Sequence, residues 1–246
     1  IKIIQNVELS MAAIFGILHT GQFARLNRWL RASLTAAALF LWGGWAQAHP
    51  HMWIEAKMDL QFDAQGQLVS VAQVWLFDEM FSSYAKQGLP ETAEGVPPQV
   101  ELDKIAQDWM SALADPMSHY FTTISQGGDV LAVGEPRGVK AIWQTKTDQL
   151  SLRFELPLLQ PVFVNRLPVT VSVADPTYFV AYSFEEPQSV TARTAPASCQ
   201  AIYKRPNRLD DQVAARLAAI PPSGVLPPDL QLAAQTLQHR VELSCP

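Results

Sequence analysis

Basic clusters, catalytic signatures and phosphate-binding glycine motifs are all missing from this sequence of 246 residues. It contains no G-x-S-x-G elbow, no P-loop, no dinucleotide-binding glycine fingerprint and no H-E-x-x-H pair. The local signatures of serine hydrolases, nucleotide-binding enzymes and zinc proteases are therefore absent. Without a run of Lys and Arg, nucleic acids and anionic membrane surfaces are poor partners. No organic substrate is evident either, and we expect a protein that is not an enzyme.

One uncharged stretch stands out near the start of the chain, ASLTAAALFLWGGW at residues 32–45. Three arginines precede it, and Ala46-Gln47-Ala48 places small residues at the third and first positions before a cut. This order is typical of a secretory signal peptide. The alternative is a retained membrane-spanning helix, which is disfavoured because the run falls short of the ~20 apolar residues that cross a bilayer. We expect removal of residues 1–48 and a periplasmic protein that begins at His49.

The mature chain defined by this cut is acidic and of one-domain size. Its length is 246 − 48 = 198 residues. The leader holds four of the 18 basic residues and one of the 23 acidic residues, so the mature net charge is 14 − 22 = −8. A chain of this length buries roughly 70% of its unfolded surface. We predict one domain over residues 49–246, with residues 78–126 as a helical insertion.

Cysteine is scarce, because only Cys199 and Cys245 are present and neither belongs to a C-x-x-C pair. Two lone cysteines in an exported chain most often form a disulfide, and a loop of this length would add ~4 kcal/mol in the chain-entropy model. The alternatives are a thiolate pair that binds metal and a reactive nucleophile. We predict that Cys199 and Cys245 form a structural disulfide.

Hydrophobic spacing predicts an α+β fold with a mainly antiparallel sheet. Residues 52–62 alternate between apolar and polar side chains, and residues 68–77 are rich in β-branched and aromatic ones, which together indicate a β-hairpin. Two helical patterns follow, and strands dominate residues 130–184. The segment HYFTTISQ at residues 119–126 fits either a helix or a strand. C-terminal helices and a closing strand complete the chain, and strands in blocks favour the α+β class.

The sequence HPHMWIE, which begins at His49, concentrates two of the four histidines of the mature chain. A histidine at a free N-terminus offers an amine and an imidazole, and His51 adds another nitrogen. Pro50 has no amide proton to lose, which disfavours the copper arrangement that uses a deprotonated amide at the second position. These donors suit nickel, cobalt, zinc or copper. The alternative is a polar terminus without a ligand.

Asp78, His119 and Asp175 are further candidates for such a metal site. Asp78 lies between a strand and a helix, where an aspartate also serves as an N-cap. Asp175 precedes a proline, which is equally typical of a tight turn. For His119, the alternative is a hydrogen-bonded histidine at the surface or in the core. His239 falls late in the last helical pattern and receives no role.

In three segments the chain resembles a family of uncharacterised bacterial periplasmic proteins that are labelled as periplasmic components of an ABC-type transport system. The segments are HPHMWIE, VWLFDEMFSSY and ADPTYFVAY, which occur in this order across residues 49–186. Members of the family tend to be encoded beside nickel/cobalt-type permeases. The resemblance implies a periplasmic partner in transition-metal handling, and His49, His51, Asp78 and Asp175 match the polar motif residues of the family.

Three hypotheses about function follow. The first is a periplasmic accessory protein that binds a divalent transition metal ion for an inner-membrane metal permease or ABC-type transporter. His49 and His51 would be the primary ligands, with Asp78 or Asp175 as ligand or orienting carboxylate. The second is a module that docks on such a permease without metal, through exposed aromatic residues such as Trp53 and Trp75. The third is a redox enzyme with copper at the N-terminus, for which the sequence shows no substrate surface.

Overall fold

The computed structural model describes residues 50–185, 189–220 and 226–246. The predicted leader and His49 lie outside the described residues. The described residues belong to one unit, Gln47–Pro246. The strands are β1 (Met52–Phe62), β2 (Gln67–Phe77), β3 (Thr122–Gln126), β4 (Asp129–Val130), β5 (Arg137–Gln144), β6 (Gln149–Phe163), β7 (Val169–Val173), β8 (Val180–Ser183), β9 (Val190–Thr191), β10 (Gln200–Lys204) and β11 (His239–Ser244). The helices are α1 (Glu79–Lys86), α2 (Gln99–Leu113), α3 (Asp211–Ala218) and α4 (Pro228–Gln235), and a short 3-10 turn spans His119–Phe121.

The strands form two sheets. The first has the order β5-β6-β2-β1-β8, with β9 also paired to β1, and the second has the order β10-β11-β7-β3-β4. Every strand pair within the described residues is antiparallel except β1–β8 and β1–β9, which are parallel. The predicted α+β class with a mainly antiparallel sheet is confirmed.

The predicted hairpin over β1 and β2 is confirmed. Alternate residues of β1 from Ile54 to Phe62 are buried, because side chains of a strand point to opposite faces in turn. The connecting turn is built on Asp63, whose Oδ1 accepts the backbone N–H groups of Gln65 and Gln67 at 2.9 and 2.8 Å. Gly66 closes the turn at φ +76°, a conformation that glycine adopts without strain.

Trp75 lies at the centre of the core, where residues of both sheets join one buried cluster. Its side chain is 2% exposed, and its ring contacts those of Phe154 and Tyr182 at 4.8 and 5.6 Å between centroids. The proposal of Trp75 as an exposed docking residue was therefore wrong, because its position in β2 points inward. Trp53 points outward from β1 and is 49% exposed.

The segment predicted as a helical insertion contains α1 and α2 but does not stay helical to residue 126. The 3-10 turn ends at Phe121, and Thr122–Gln126 form β3, which pairs with β7 in the second sheet. Buried Thr122 and Ile124 on one face of this strand explain the difference, because they favour a strand packed on the core. Across the described part of the chain, none of the helices combines the length and the apolar character that a membrane crossing requires.

The predicted disulfide between Cys199 and Cys245 is present. The two cysteines lie just outside the ends of β10 and β11, where Gln200 pairs with Ser244. The bond therefore holds the edge strand β10 to the sheet. A structural disulfide is typical of proteins that fold in an oxidising compartment outside the cytoplasm.

Candidate functional site

The three segments that carry the family resemblance meet at the start of β1. The backbone N–H of His51 donates to the carbonyl oxygen of Phe179 at 2.9 Å, just before the parallel pairing of β1 with β8 begins. Two residues further along the chain, Trp53 and Asp78 bond each other. The N–H of Trp53 donates to Asp78 Oδ2 at 2.8 Å, and the N–H of Asp78 donates to Trp53 O at 3.0 Å. Phe179 and Asp78, which are far apart in sequence, thus form hydrogen bonds with the backbone on either side of the start of β1, which we call the entrance of β1.

Asp78 caps α1 as the sequence suggested. Its Oδ1 accepts the backbone N–H of Phe81 at 2.8 Å, while its Oδ2 accepts that of Trp53. A carboxylate at this position stabilises a helix N-terminus, because the first N–H groups have no partner inside the helix. Both oxygens are therefore engaged with the backbone. The role of Asp78 as a metal ligand stays a prediction.

Asp175 anchors a tight turn between β7 and β8. The side chain is 6% exposed, and its Oδ1 accepts from both the N–H and the hydroxyl of Thr177 at 2.8 and 2.7 Å. Its Oδ2 accepts the N–H of Val180 at 2.9 Å. Tyr178, inside this turn, has a left-handed backbone at φ 58°. The turn suggested by the sequence is therefore present, and three donors neutralise part of the buried charge.

His51 is half-buried, and its ring lies 4.9 Å from that of Phe179 between centroids. The backbone bond and this ring contact together fix the place of His51 beside the end of β8. His49, its intended partner as a ligand, lies outside the described residues. Phe179 thus positions one of the two histidines predicted as primary ligands, and no pattern in the sequence indicated this contact.

His119 is exposed and lies on the wall of a cavity of about 570 Å³ that Asp175 also lines. We call this cavity the outer chamber. Neither His51 nor Asp78 lines it. Within residues 50–185, 189–220 and 226–246, no three side chains of His, Cys, Asp or Glu are grouped closely enough to hold a metal ion. A metal site with the predicted residues therefore depends on His49.

A second cavity of about 170 Å³, the inner chamber, was not expected from the sequence. It is lined by His239 and Tyr182 and shares Asp175 with the outer chamber. His239 is the first residue of β11, so the predicted closing strand is confirmed. The helical position inferred for this histidine was wrong, because α4 already ends at Gln235. Its Nδ1 lies 2.6 Å from the hydroxyl oxygen of Tyr203. Only the tertiary fold brings these aromatic and imidazole groups together.

Burial lowers the pKa of His239 to about 4. A hydrogen bond with the backbone of Tyr182 raises this pKa and partly offsets the effect of burial, whereas the charge of Arg205 lowers it. The imidazole is therefore neutral in the folded protein at neutral pH. An unfolded histidine titrates near ~6.5, so between these values the unfolded state binds a proton that the folded state does not. The contribution of His239 to stability is complete above ~6.5 and is lost as the pH falls toward 4.

We expect the free energy of unfolding to fall by about 1–2 kcal/mol between pH 7 and pH 4.5 because of His239. Each pKa unit corresponds to ~1.4 kcal/mol, and the expected fall is smaller than the full conversion because the ring keeps some contact with water. Urea denaturation at both pH values would measure the change. His239→Gln, which cannot take up the proton, should show a correspondingly shallower pH dependence. The same slope in the variant and the parent would contradict this assignment.

Comparison of the sequence with known proteins shows that the chain is similar to proteins whose function is not characterised. A protein of Haemophilus influenzae described as uncharacterized is 23% identical to this chain over 173 residues, which is 70% of this chain and 80% of that protein. The family model with the description "Protein of unknown function (DUF1007)" matches residues 34–245 and thus includes both sheets and the disulfide. Because the match extends over most of the sequence, the chain belongs to this family of unknown function, DUF1007.

Proposed function

We propose that this protein is a periplasmic, non-enzymatic accessory protein that binds a divalent transition metal ion and serves an inner-membrane metal permease or ABC-type transporter. One observation carries the proposal. The HPH segment is followed directly by β1, whose start is bonded on both sides. The N–H of His51 donates to Phe179 O at 2.9 Å, and the N–H of Trp53 donates to Asp78 Oδ2 at 2.8 Å. A held backbone limits the conformations of His51, and less conformational entropy is then lost when a ligand binds.

The donors in this proposal are nitrogen atoms. Cleavage after Ala48 would give His49 a free amine beside its imidazole, and His51 would contribute a second imidazole. Asp78 and Asp175 already accept backbone donors with both carboxylate oxygens. We therefore assign them to positioning the segments around the site. Amine and imidazole donors select nickel, cobalt, zinc or copper over calcium and magnesium.

Three further observations support the location and the partner. The disulfide between Cys199 and Cys245 fits an oxidising compartment. The apolar run before Ala48, with its basic flank, fits an exported precursor. The motif resemblance links such proteins to nickel/cobalt-type permeases.

The alternative, a metal-free module that docks on a permease, is favoured by one feature. Trp53 is 49% exposed at the entrance of β1, and Met80 and Tyr84 on the neighbouring helix α1 are also exposed. Large apolar side chains at the surface are common at protein interfaces when they form a patch. Co-purification of metal-free protein with a membrane partner would favour this alternative.

The metal proposal is tested by competition titration of the protein expressed with its own leader and a C-terminal tag, so that processing generates the N-terminus. Nickel, cobalt, copper and zinc are tested singly. We expect sub-micromolar binding of at least one ion, and a loss of about 100-fold, or ~2.7 kcal/mol, in His49→Ala and in His51→Ala. His119→Ala is the matched control and should bind as the parent does.

Three results would contradict the proposal. The first is binding no tighter than that of an arbitrary peptide, and the second is binding indifferent to both N-terminal substitutions. The third is a loss confined to His119→Ala, which would move the site to the outer chamber. Mass spectrometry of the purified protein would establish that His49 is the first residue in the titrated sample.

A further inference from the structure

A third cavity, which we call the apolar pocket, lies between the core-facing side of the first sheet and the helices α1 and α2. Its volume is about 190 Å³. Strands β1, β2, β6 and β8 contribute wall residues, together with both helices and the 3-10 turn. Met52 and Val180, which pair at the start of β1 and β8, belong to this wall. The pocket therefore adjoins the entrance of β1, although His51 is not among its lining residues.

The side chains on the wall of this pocket are apolar throughout the described part of the chain. The rings of Phe77 and Phe81 lie 5.3 and 5.5 Å from that of Trp109 between centroids, within the range that aromatic pairs prefer. Trp75 and Phe121 add two further rings to the wall. Apolar side chains cannot replace the hydrogen bonds with water that a charged molecule loses on entry. The wall therefore selects against charged molecules of either sign.

The pocket has a closed floor and a mouth at the surface. Ile54, Trp75 and Leu152 lie at the floor, where their side chains are 2%, 2% and 1% exposed. On helix α2, Ala112 is exposed and Leu113 is half-buried, and both residues line the pocket. A small molecule can therefore enter past the end of α2 while the core behind the floor stays closed.

The size of the apolar pocket suits a molecule of one or two rings. An engineered cavity of about 150 Å³ with leucine, isoleucine and phenylalanine walls stays free of water and binds benzene. Side chains around an empty apolar space lack dispersion contacts on one side, and this lowers the stability of the folded state. An apolar molecule that fits the space would supply those contacts, so its binding is favourable.

Strained backbone on the wall is a second indication of a binding site. Phe121 lines both the apolar pocket and the outer chamber. It ends a run of three residues, His119, Tyr120 and Phe121, whose φ angles of 46°, 52° and 49° are left-handed. Residues other than glycine seldom adopt this conformation, and those that do are concentrated at ligand sites and switch regions.

We propose that the apolar pocket binds a small, uncharged, apolar molecule of one or two rings. The aromatic side chains of the wall contact such a ring edge-on or in an offset stack, which are the arrangements that aromatic groups favour. The thioether of Met52 adds a sulfur–aromatic contact at the side of the entrance of β1. The nitrogen donors of the HPH segment take no part in this binding, so the proposal is independent of the metal proposal.

Isothermal titration calorimetry of the protein expressed with its own leader, with chelator present, tests this proposal apart from metal binding. The neutral probes are toluene and indole, and benzoate and benzylamine are the anionic and cationic counterparts of toluene. We expect at least one neutral probe to bind with a Kd of roughly 1 mM or tighter, which is realistic for a ligand with so few atoms. The charged counterparts should bind at least tenfold more weakly than toluene.

Ala112→Phe places an aromatic side chain at the mouth of the pocket, where it competes with the probe. We expect at least a tenfold loss of affinity for the neutral probe. Ala114→Phe is the matched control, because Ala114 is also exposed but does not line the pocket, and it should leave the affinity unchanged. Both variants should unfold at the temperature of the parent, since both positions are exposed, and thermal denaturation would measure this.

Tryptophan fluorescence would locate the bound probe. Because Trp109 lines the pocket, toluene should change the protein fluorescence, and Trp109→Phe should reduce this change. Trp53→Phe, on the outward side of β1, should leave the change as in the parent. Three results would overturn the proposal: no saturable binding of either neutral probe, binding of benzoate or benzylamine as tight as that of toluene, and equal affinities of Ala112→Phe and Ala114→Phe.

Discussion

Removal of the disulfide by the double substitution Cys199→Ser and Cys245→Ser is expected to lower the free energy of unfolding by about 4 kcal/mol. The two cysteines are separated by 46 positions in sequence, and the bond restricts the unfolded chain by closing that loop. The closed loop contains α3, α4 and both strands that the bond joins. The effect is large because a domain of ordinary stability has only about 5–15 kcal/mol in total.

Urea denaturation of the parent and the double variant, with and without reductant, would measure this effect. Reductant should destabilise the parent toward the value of the variant and leave the variant unchanged. A double variant as stable as the oxidised parent would contradict the prediction.

Asp175→Ala is expected to destabilise the protein by about 3 kcal/mol. The carboxylate is buried and accepts three hydrogen bonds, two from Thr177 and one from Val180. Hydrogen bonds to charged groups contribute ~1.5–3 kcal/mol each, and a buried donor left without a partner costs ~1–3 kcal/mol. The N–H of Val180 would lose its acceptor at the start of β8.

The sequence offers a matched control in a second Asp-Pro step. Asp115 Oδ1 accepts the N–H of Met117 at 2.8 Å, which is the same local bond that Asp175 makes with Thr177, but Asp115 is exposed. Asp115→Ala should therefore cost less than ~1 kcal/mol, because water replaces the lost acceptor. Equal costs for Asp115→Ala and Asp175→Ala in chemical denaturation would show that burial is not the source of the effect.

Much of the local structure could be predicted because its cause is local. The alternation of apolar residues over 52–62 specifies which face of β1 is buried, whatever strand lies beside it. Asp78 and Asp210 stand before helical spacing, and both cap their helices, with Asp210 Oδ1 accepting the N–H of Gln212 at 2.8 Å. Such bonds span two or three residues and leave a signature in the sequence.

The pairing of distant strands could not be predicted in this way. The alternation in β1 does not reveal that β8 lies parallel beside it, or that β3 belongs to a second sheet. For the same reason the conformation of residues 119–126 stayed open, because its outcome depends on a pairing with β7. Trp75 was misplaced because an aromatic residue in a strand fits either face until the core is known.

In the candidate site, too, features with a local cause could be predicted and those that depend on the tertiary fold could not. The motifs identified Asp78, Asp175 and His51, but they did not show that both carboxylates accept hydrogen bonds from backbone donors. The inner chamber had no signature, since Tyr182 and His239 come from strands in different sheets. Burial is what changes the chemistry of these two side chains, and burial is a property of the fold.

β1 lies between β2 on one edge and β8 and β9 on the other, so the first sheet combines a local hairpin with long-range strand pairings. One neighbour, β2, follows it directly, but another bond of this strand joins Asp59 to Thr191, 132 residues further along the chain. Closing a loop of this length is slow compared with forming a hairpin. A chain that emerges from its N-terminus first keeps this edge of β1 unpaired until β8, which begins at residue 180, has emerged, and β9 follows at residue 190. We therefore expect the pairing of β1 with β8 and β9 to follow formation of the β1–β2 hairpin.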